Sequence, residues 1–290
     1  MAGTPAPHLH WSNAAGLNDL RSPILVAAFE GWNDAGEASS TAARYVRDHF
    51  ESTEVATIDA EDFFDFTVAR PSVHLDDEGS RHIAWPSTSV YAAHIPGTDH
   101  DLVVLTGHEP QLRWRTFVDH VVTTANEVGA SLAVTLGALL TDVPHTRPVQ
   151  VYGTSDDTVI AEHLSLSPST YEGPTGIVGV LGTGLRAAGI PTASLWASVP
   201  AYVSSAPSPK AALSLVEGLS TVLGTTIPCT DLEIAAAAYE RQVSDLVAED
   251  VDTTEYVERL EVDFDEEPDD NPDRLVADIE DFLRNQPGKP

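Results

Sequence analysis

Ser22-Pro23-Ile24-Leu25-Val26-Ala27-Ala28-Phe29 holds six apolar residues in a row behind a proline, and Glu30-Gly31-Trp32-Asn33-Asp34 follows at once. A strand with one wet face alternates apolar and polar residues. An unbroken apolar run of strand length is the pattern of a strand covered on both faces. Beyond it, Ala38, Ala42, Tyr45, Val46 and His49 recur at three- and four-residue steps, which predicts a helix capped by Asn33 or Asp34.

The same alternation returns along the chain. Residues 101–107, 131–137 and 194–199 are apolar runs that read as buried strands, and Val149 to Gly153 behind Pro148 reads as another. Phe117, Val118, Val121, Val122 and Ala125 predict a helix closed by Gly129, and Ala212, Val216, Leu219 and Leu223 a helix that begins near Pro209. Strands alternating with helices predict an α/β fold with a largely parallel sheet covered by helices on both faces. The segment from Asp59 to Ile95 fits less well. His82 to Trp85 and Val90 to Ala92 suggest antiparallel strands, and Arg70 to Arg81 reads as an exposed connection or a lid.

Fifteen basic residues against forty-five acidic ones give a net charge of −30 over 290 residues. A surface that binds phosphates needs the opposite sign, so nucleic acid and anionic membrane are not expected partners. The single Cys229 leaves no internal disulfide and fits a reducing compartment. No apolar stretch reaches the ~18 residues of a membrane span, and the opening residues lack the apolar core of a signal peptide. A cytoplasmic location is the expectation.

Charge is distributed unevenly. Residues 231–285 carry twenty acidic residues and four arginines, so over half the net charge falls in under a fifth of the chain. Thr230 with Glu233 and Asp252 with Glu255 resemble capping boxes, and Asn271-Pro272 adds a third helix start. Leu232, Ala235, Tyr239, Val243 and Leu246 form one apolar stripe, and Leu275, Ile279, Phe282 and Leu283 another. The expected organisation is a tail at 1–20, an α/β core at 21–227, an acidic helical lobe at 228–285 and a tail at 286–290.

Few motifs survive inspection. Gly182-Thr183-Gly184-Leu185-Arg186-Ala187 matches a dinucleotide-binding pattern, but Gly189-Ile190-Pro191 stops the helix early and no acidic residue follows ~20 positions on. One helix from Thr175, with Ile177, Val180, Leu181, Leu185 and Ala188 as its apolar face, is the better reading. Asp263 to Pro268 begins like a calcium loop and fails at the sixth position, where proline replaces glycine. No metal site and no cofactor are expected.

Open parallel sheets bind ligands outside the carboxyl ends of their strands. There the fold would gather Glu30, Asn33, Asp34, His108, Glu109, Arg113, His145 and Arg147, a set with acids, bases and anion-pairing guanidiniums. Short polar residues at strand ends also cap helices and pin loops, so the rim has a purely structural reading too.

These rim segments carry a resemblance. Phe29-Glu30-Gly31-Trp32-Asn33-Asp34-Ala35-Gly36, Gly107-His108-Glu109-Pro110, Leu136-Gly137-Ala138-Leu139, Pro144-His145-Thr146-Arg147-Pro148, Tyr171 to Ile177 and Ser194 to Val203 resemble the bacterial, actinobacterial branch of the proteasome assembly chaperone two family over about residues 22–225. The resemblance implies a three-layer α/β sandwich of the phosphorylase/hydrolase-like kind with a mixed sheet, self-association into a homo-oligomer, and a protein partner of proteasome type. Two departures stand out. Ala201 occupies a position where this branch commonly shows histidine, and the chain ends Asn285-Gln286-Pro287-Gly288-Lys289-Pro290, without the hydrophobic–tyrosine–any-residue tail by which relatives dock on proteasome rings. The expectation is a non-enzymatic assembly or interaction protein. The alternative is a small-molecule binder or a hydrolase/phosphorylase-like enzyme with His108 or Glu109 as acid/base, Glu30 or Asp34 orienting water or metal, and Arg147 holding an anion.

Overall fold

Strand β2 (Ile24–Glu30) sends Ile24, Val26 and Ala28 into one apolar cluster and Leu25, Ala27 and Phe29 into another, so both of its faces are buried. The computed structural model describes residues 8–12, 17, 19–76 and 78–266. Around β2 lies an eight-stranded sheet of β1 (Leu9–Trp11), β3 (Thr53–Ile58), β6 (Thr88–Ala93), β7 (Leu102–His108), β8 (Leu132–Thr141), β9 (Val151–Thr154) and β10 (Thr192–Pro200), in the order β1-β3-β6-β7-β2-β8-β10-β9. The four central strands β7, β2, β8 and β10 run parallel, and every pairing outside them is antiparallel. The sheet is therefore mixed, and its apolar runs are the central strands that have helices on both sides.

One layer is α1 (Ala38–His49) and α5 (Pro209–Val222), which bury Ala42, Val46, Leu215 and Leu219 against one face of the sheet. The other is α2 (Trp114–Val128) and α4 (Ile177–Ala187), which bury Phe117, Val121, Leu181 and Leu185 against the opposite face. Helix ends match the sequence where a polar side chain or glycine decides them. Asp34 Oδ1 accepts from the backbone N–H groups of Ser39 and Ser40 at 2.8 and 3.1 Å, Gly129 closes α2 in the left-handed conformation, and Ser208 precedes Pro209 at the start of α5.

Several elements differ from expectation. Arg70 to Arg81 is not a plain connection: β4 (Ser72–Leu75) pairs antiparallel with β5 (Arg81–Ala84) in a hairpin outside the main sheet. The expected strand around His82 to Trp85 is present as β5, and its partner β4 is the strand that the polar stretch concealed. Thr53–Ile58 and Leu9–Trp11 are strands that periodicity did not single out, the second within the expected N-terminal tail. Helix α3 (Thr158–Leu164) is likewise new, with Asp157 accepting from the N–H groups of Val159 and Ile160. The dinucleotide-like glycines lie inside α4, as the single-helix reading requires, although Ala188 is its exposed end rather than part of its buried face.

Where the acidic lobe was expected, the chain forms α6 (Thr230–Val247) and α7 (Val251–Glu266). In α6 the buried stripe is Leu232, Ala236, Tyr239, Val243 and Val247, while Leu246 is 62% exposed. Both stripes have helical spacing, and packing against α5, Tyr202 and Tyr256 selects between them. The caps shift too. Helix α6 starts at Thr230 itself, so that residue cannot cap it, and Asp250 rather than Asp252 accepts from Thr253 N–H, at 2.9 Å. The stripe at 275–283, the start at Asn271-Pro272 and the end at 285–290 lie outside the described residues. Among the described residues no helix is long and apolar enough to cross a membrane.

Candidate functional site

β2 lies between β7 and β8; from its carboxyl end the chain passes to α1 on one face of the sheet, while from β7 it passes to α2 on the other, so neighbouring connections part there. Glu30 stands opposite His108 in the parallel β2–β7 register, and its Oε2 lies 2.9 Å from His108 Nδ1. Its other oxygen accepts from Arg44 of α1 at 2.6 Å. The hydrogen bond from His108 holds the Glu30 carboxyl below its ordinary range, and the same bond raises the imidazole. Both side chains are partly open to solvent.

Gly31 then turns the chain at φ 135°, where a Cβ would come within 3.1 Å of Glu109 Cβ. Glu109 points back across this turn. Its Oε2 accepts from Trp32 N–H at 3.3 Å and its Oε1 from Ile177 N–H at 2.9 Å. Glu109 therefore caps α4 from a different element. Asn33 is buried and its carbonyl receives Ala138 N–H at 2.8 Å, tying the turn to β8. Asp34 is spent on the α1 N-terminus.

The remaining candidates go elsewhere. Arg113 pairs with Asp62. His145 is buried beneath α6: its Nδ1 meets Tyr202 OH at 2.8 Å and its Nε2 meets Ser244 Oγ at 2.9 Å. Tyr202 OH accepts from His145 N–H, and Lys210 Nζ donates to His145 carbonyl oxygen and to Glu240. Burial, helped by the Lys210 charge, lowers the imidazole, so the histidine is a neutral strut. Arg147 grips Asp265 with two hydrogen bonds of 2.8 and 2.7 Å and reaches Glu261. The rim is thus two devices: Glu30, Asn33, Asp34, His108 and Glu109 organise the β2 exit, and His145 with Arg147 clamps the acidic helices to the core.

Residue patterns did not point to Arg44, Lys210 or Ser244, because each acts through a partner distant in sequence. They also missed an exposed apolar row. In the β4–β5 hairpin Val73 pairs with Ile83, and Leu75 and Trp85 follow on the same face by the two-residue repeat. These four are 50%, 58%, 68% and 54% exposed respectively, and Trp85 also contacts the Phe66 ring at 4.9 Å between centroids. The signal was present as the alternation His82-Ile83-Ala84-Trp85, but its direction toward solvent was not.

A family model described as the PAC2 family matches residues 28–247. The crystal structure of a PAC2 family protein from Streptomyces avermitilis is 45% identical, with a TM-score of 0.76 over 81% of this chain and 99% of that one. A Mycobacterium tuberculosis proteasome-assembly chaperone homologue is 40% identical, with a TM-score of 0.73 over the same shares. A M. tuberculosis protein of unknown function is 26% identical and aligns over 98% of both chains with a TM-score of 0.83. No curated protein matches.

Proposed function

The chain belongs to the PAC2 family, and on that premise we propose that it is an assembly-chaperone-like, protein-binding protein whose contact face is the outside of the β4–β5 hairpin. The observation that carries this reading is the row Val73, Leu75, Ile83 and Trp85, an apolar face that the described residues leave half or more exposed. Contiguous exposed apolar surface rimmed by polar residues is the usual mark of a protein contact, and a tryptophan is a common energetic anchor in one. The net charge of −30 favours a partner with basic surface around its own apolar patch. Proteasome subunits are the partner class that the description of the mycobacterial relative suggests for this chain. Self-association into a homo-oligomer would use the same kind of surface.

The test uses purified α and β proteasome subunits from the same organism, mixed with the full chain and followed by size-exclusion chromatography and cross-linking. The wild type is expected to co-elute with unassembled subunits and to cross-link through the hairpin. The double variant Ile83→Asp, Trp85→Ser should lose both while keeping its melting temperature. Unchanged association by the double variant, or subunits that assemble identically with and without the protein, would overturn the reading.

A second reading rests on the Glu30–His108 pair, an acid and a base 2.9 Å apart at the strand exits. It assigns small-molecule chemistry to the rim, with His108 moving a proton and Glu30 orienting it. Loss of a turnover in a folded His108→Gln protein would favour it.

A further inference from the structure

The β4–β5 hairpin has a second face. Val73, Leu75 and Ile83 turn one way, so Ser72, His74, His82 and Ala84 turn the other by the two-residue repeat. The antiparallel register sets His74 directly opposite His82. Residues so placed hold their Cβ atoms about 4.5–5.5 Å apart, a span across which two imidazoles can reach one ion at the ~2.0–2.1 Å of a zinc–nitrogen bond. The sequence conceals the pair, because the two histidines stand on either side of the polar tip and only strand pairing brings them together.

Each imidazole is already held by one nitrogen. His82 Nε2 lies 2.8 Å from Asp76 Oδ2. An ionised carboxylate only accepts, so in the neutral ring this bond keeps the proton on Nε2 and the lone pair on Nδ1. Asp76 is itself fixed by the turn, its Oδ1 accepting from Glu78 N–H at 3.0 Å and from Ser80 N–H at 2.8 Å. A carboxylate bonded to the far nitrogen is the arrangement that orients metal-ligating histidines. His74 Nε2 meets Ser72 Oγ at 2.8 Å on its own strand. Neither Nδ1 has a hydrogen bond to the described residues, and both side chains are exposed, so an ion can reach them from solvent. No three histidine, cysteine or acidic side chains are gathered round one point among the described residues. The chelate is therefore made by two imidazoles, with its remaining positions left to water.

We propose that His74 and His82 bind one divalent transition-metal ion, zinc or copper, through their Nδ1 atoms, with Asp76 orienting His82. The ion ties β4 to β5. The hairpin lies outside the main sheet and has four residue pairs, and an isolated two-stranded hairpin is marginal, so a bridge across it orders the whole element. The site lies on the face away from Val73 and Ile83 and does not depend on what docks there.

Zinc chloride titrated into the full, untagged chain should give saturable 1:1 binding by calorimetry, reversed by EDTA. Copper(II) should bind more tightly, as the order of divalent affinities requires. His74→Gln and His82→Gln should each weaken zinc at least ~10-fold, and Asp76→Asn, which keeps the acceptor toward the turn, should weaken it ~10-fold through lost orientation. His10→Gln, in β1, is the control and should leave binding unchanged. All these side chains are exposed, so the variants should keep the wild-type melting temperature. Amide exchange over residues 72–84 should slow when zinc is added to the wild type and stay unchanged in His82→Gln. No saturable zinc binding, binding indifferent to both hairpin histidine variants, binding lost in His10→Gln, or hairpin exchange that zinc does not slow would overturn the proposal.

Discussion

Glu30 and His108 face each other across β2 and β7, and each changes the other's affinity for protons. The sign of the effect on stability follows from the two directions. His108 is raised, so its contribution is complete below its ordinary value of 6.5 and disappears as pH rises through the native value. Glu30 is lowered, so its contribution is complete above its ordinary value of 4.5 and disappears as pH falls through the native value. The pair therefore contributes most between those two ordinary values. Histidine NMR titration should place His108 above 6.5, and Glu30→Gln should bring it back toward that figure. A second residue-scale test concerns Gly137, whose added Cβ would lie 2.3 Å from the Trp196 ring on the neighbouring strand. Overpacking of this kind costs about 1–3 kcal/mol, so Gly137→Ala should lower the urea midpoint. Trp196→Leu should restore part of the loss.

At the scale of elements, α6 packs on α5 and shares a small apolar cluster of its own with α7 and Tyr202, supplemented by polar ties from His145 and Arg147, whereas α1, α2, α4 and α5 bury apolar faces directly on the sheet. The lobe should open before the sheet does. Arg147→Met removes the two bonds to Asp265, and amide hydrogen exchange in α7 should then accelerate while the β2 amides stay protected. Acid should have a related effect. His145 is lowered in the fold, with Lys210, Glu240 and Glu261 as its charged neighbours, so the stability it lends is complete above 6.5 and falls as pH drops from there to its native value. Exchange in α6 should increase over that window in the wild type and less so in His145→Gln. Equal exchange in α6 and β2 at every pH would show that the lobe does not open separately.

For the whole molecule the dominant quantity is the net charge of −30. Self-repulsion of that size opposes compactness, and salt screens it with a Debye length falling from about 10 Å at 0.1 M to about 3 Å at 1 M. The melting temperature should rise between 0.05 and 0.5 M sodium chloride, opposite to a protein held together by surface ion pairs. The same charge should slow association with acidic partners and speed it with basic ones at low salt, which stopped-flow binding to a proteasome subunit can check.

The sequence alone was sufficient for the central strands and their covering helices, because burial on both faces leaves an unbroken apolar run and burial on one leaves a 3.6-residue stripe. It was also sufficient for the family, through short motifs at strand exits. Tertiary structure decided the rest. Whether Ile83 and Trp85 point inward or outward, which of two helical stripes α6 buries, and that His145 holds a helix while His108 stays half open all depend on what lies across from them. Local pattern records a residue's neighbours along the chain; those contacts come from elsewhere in it, Phe66 for Trp85, Glu30 for His108 and Ser244 for His145, and the same local sequence is compatible with either outcome until they are in place.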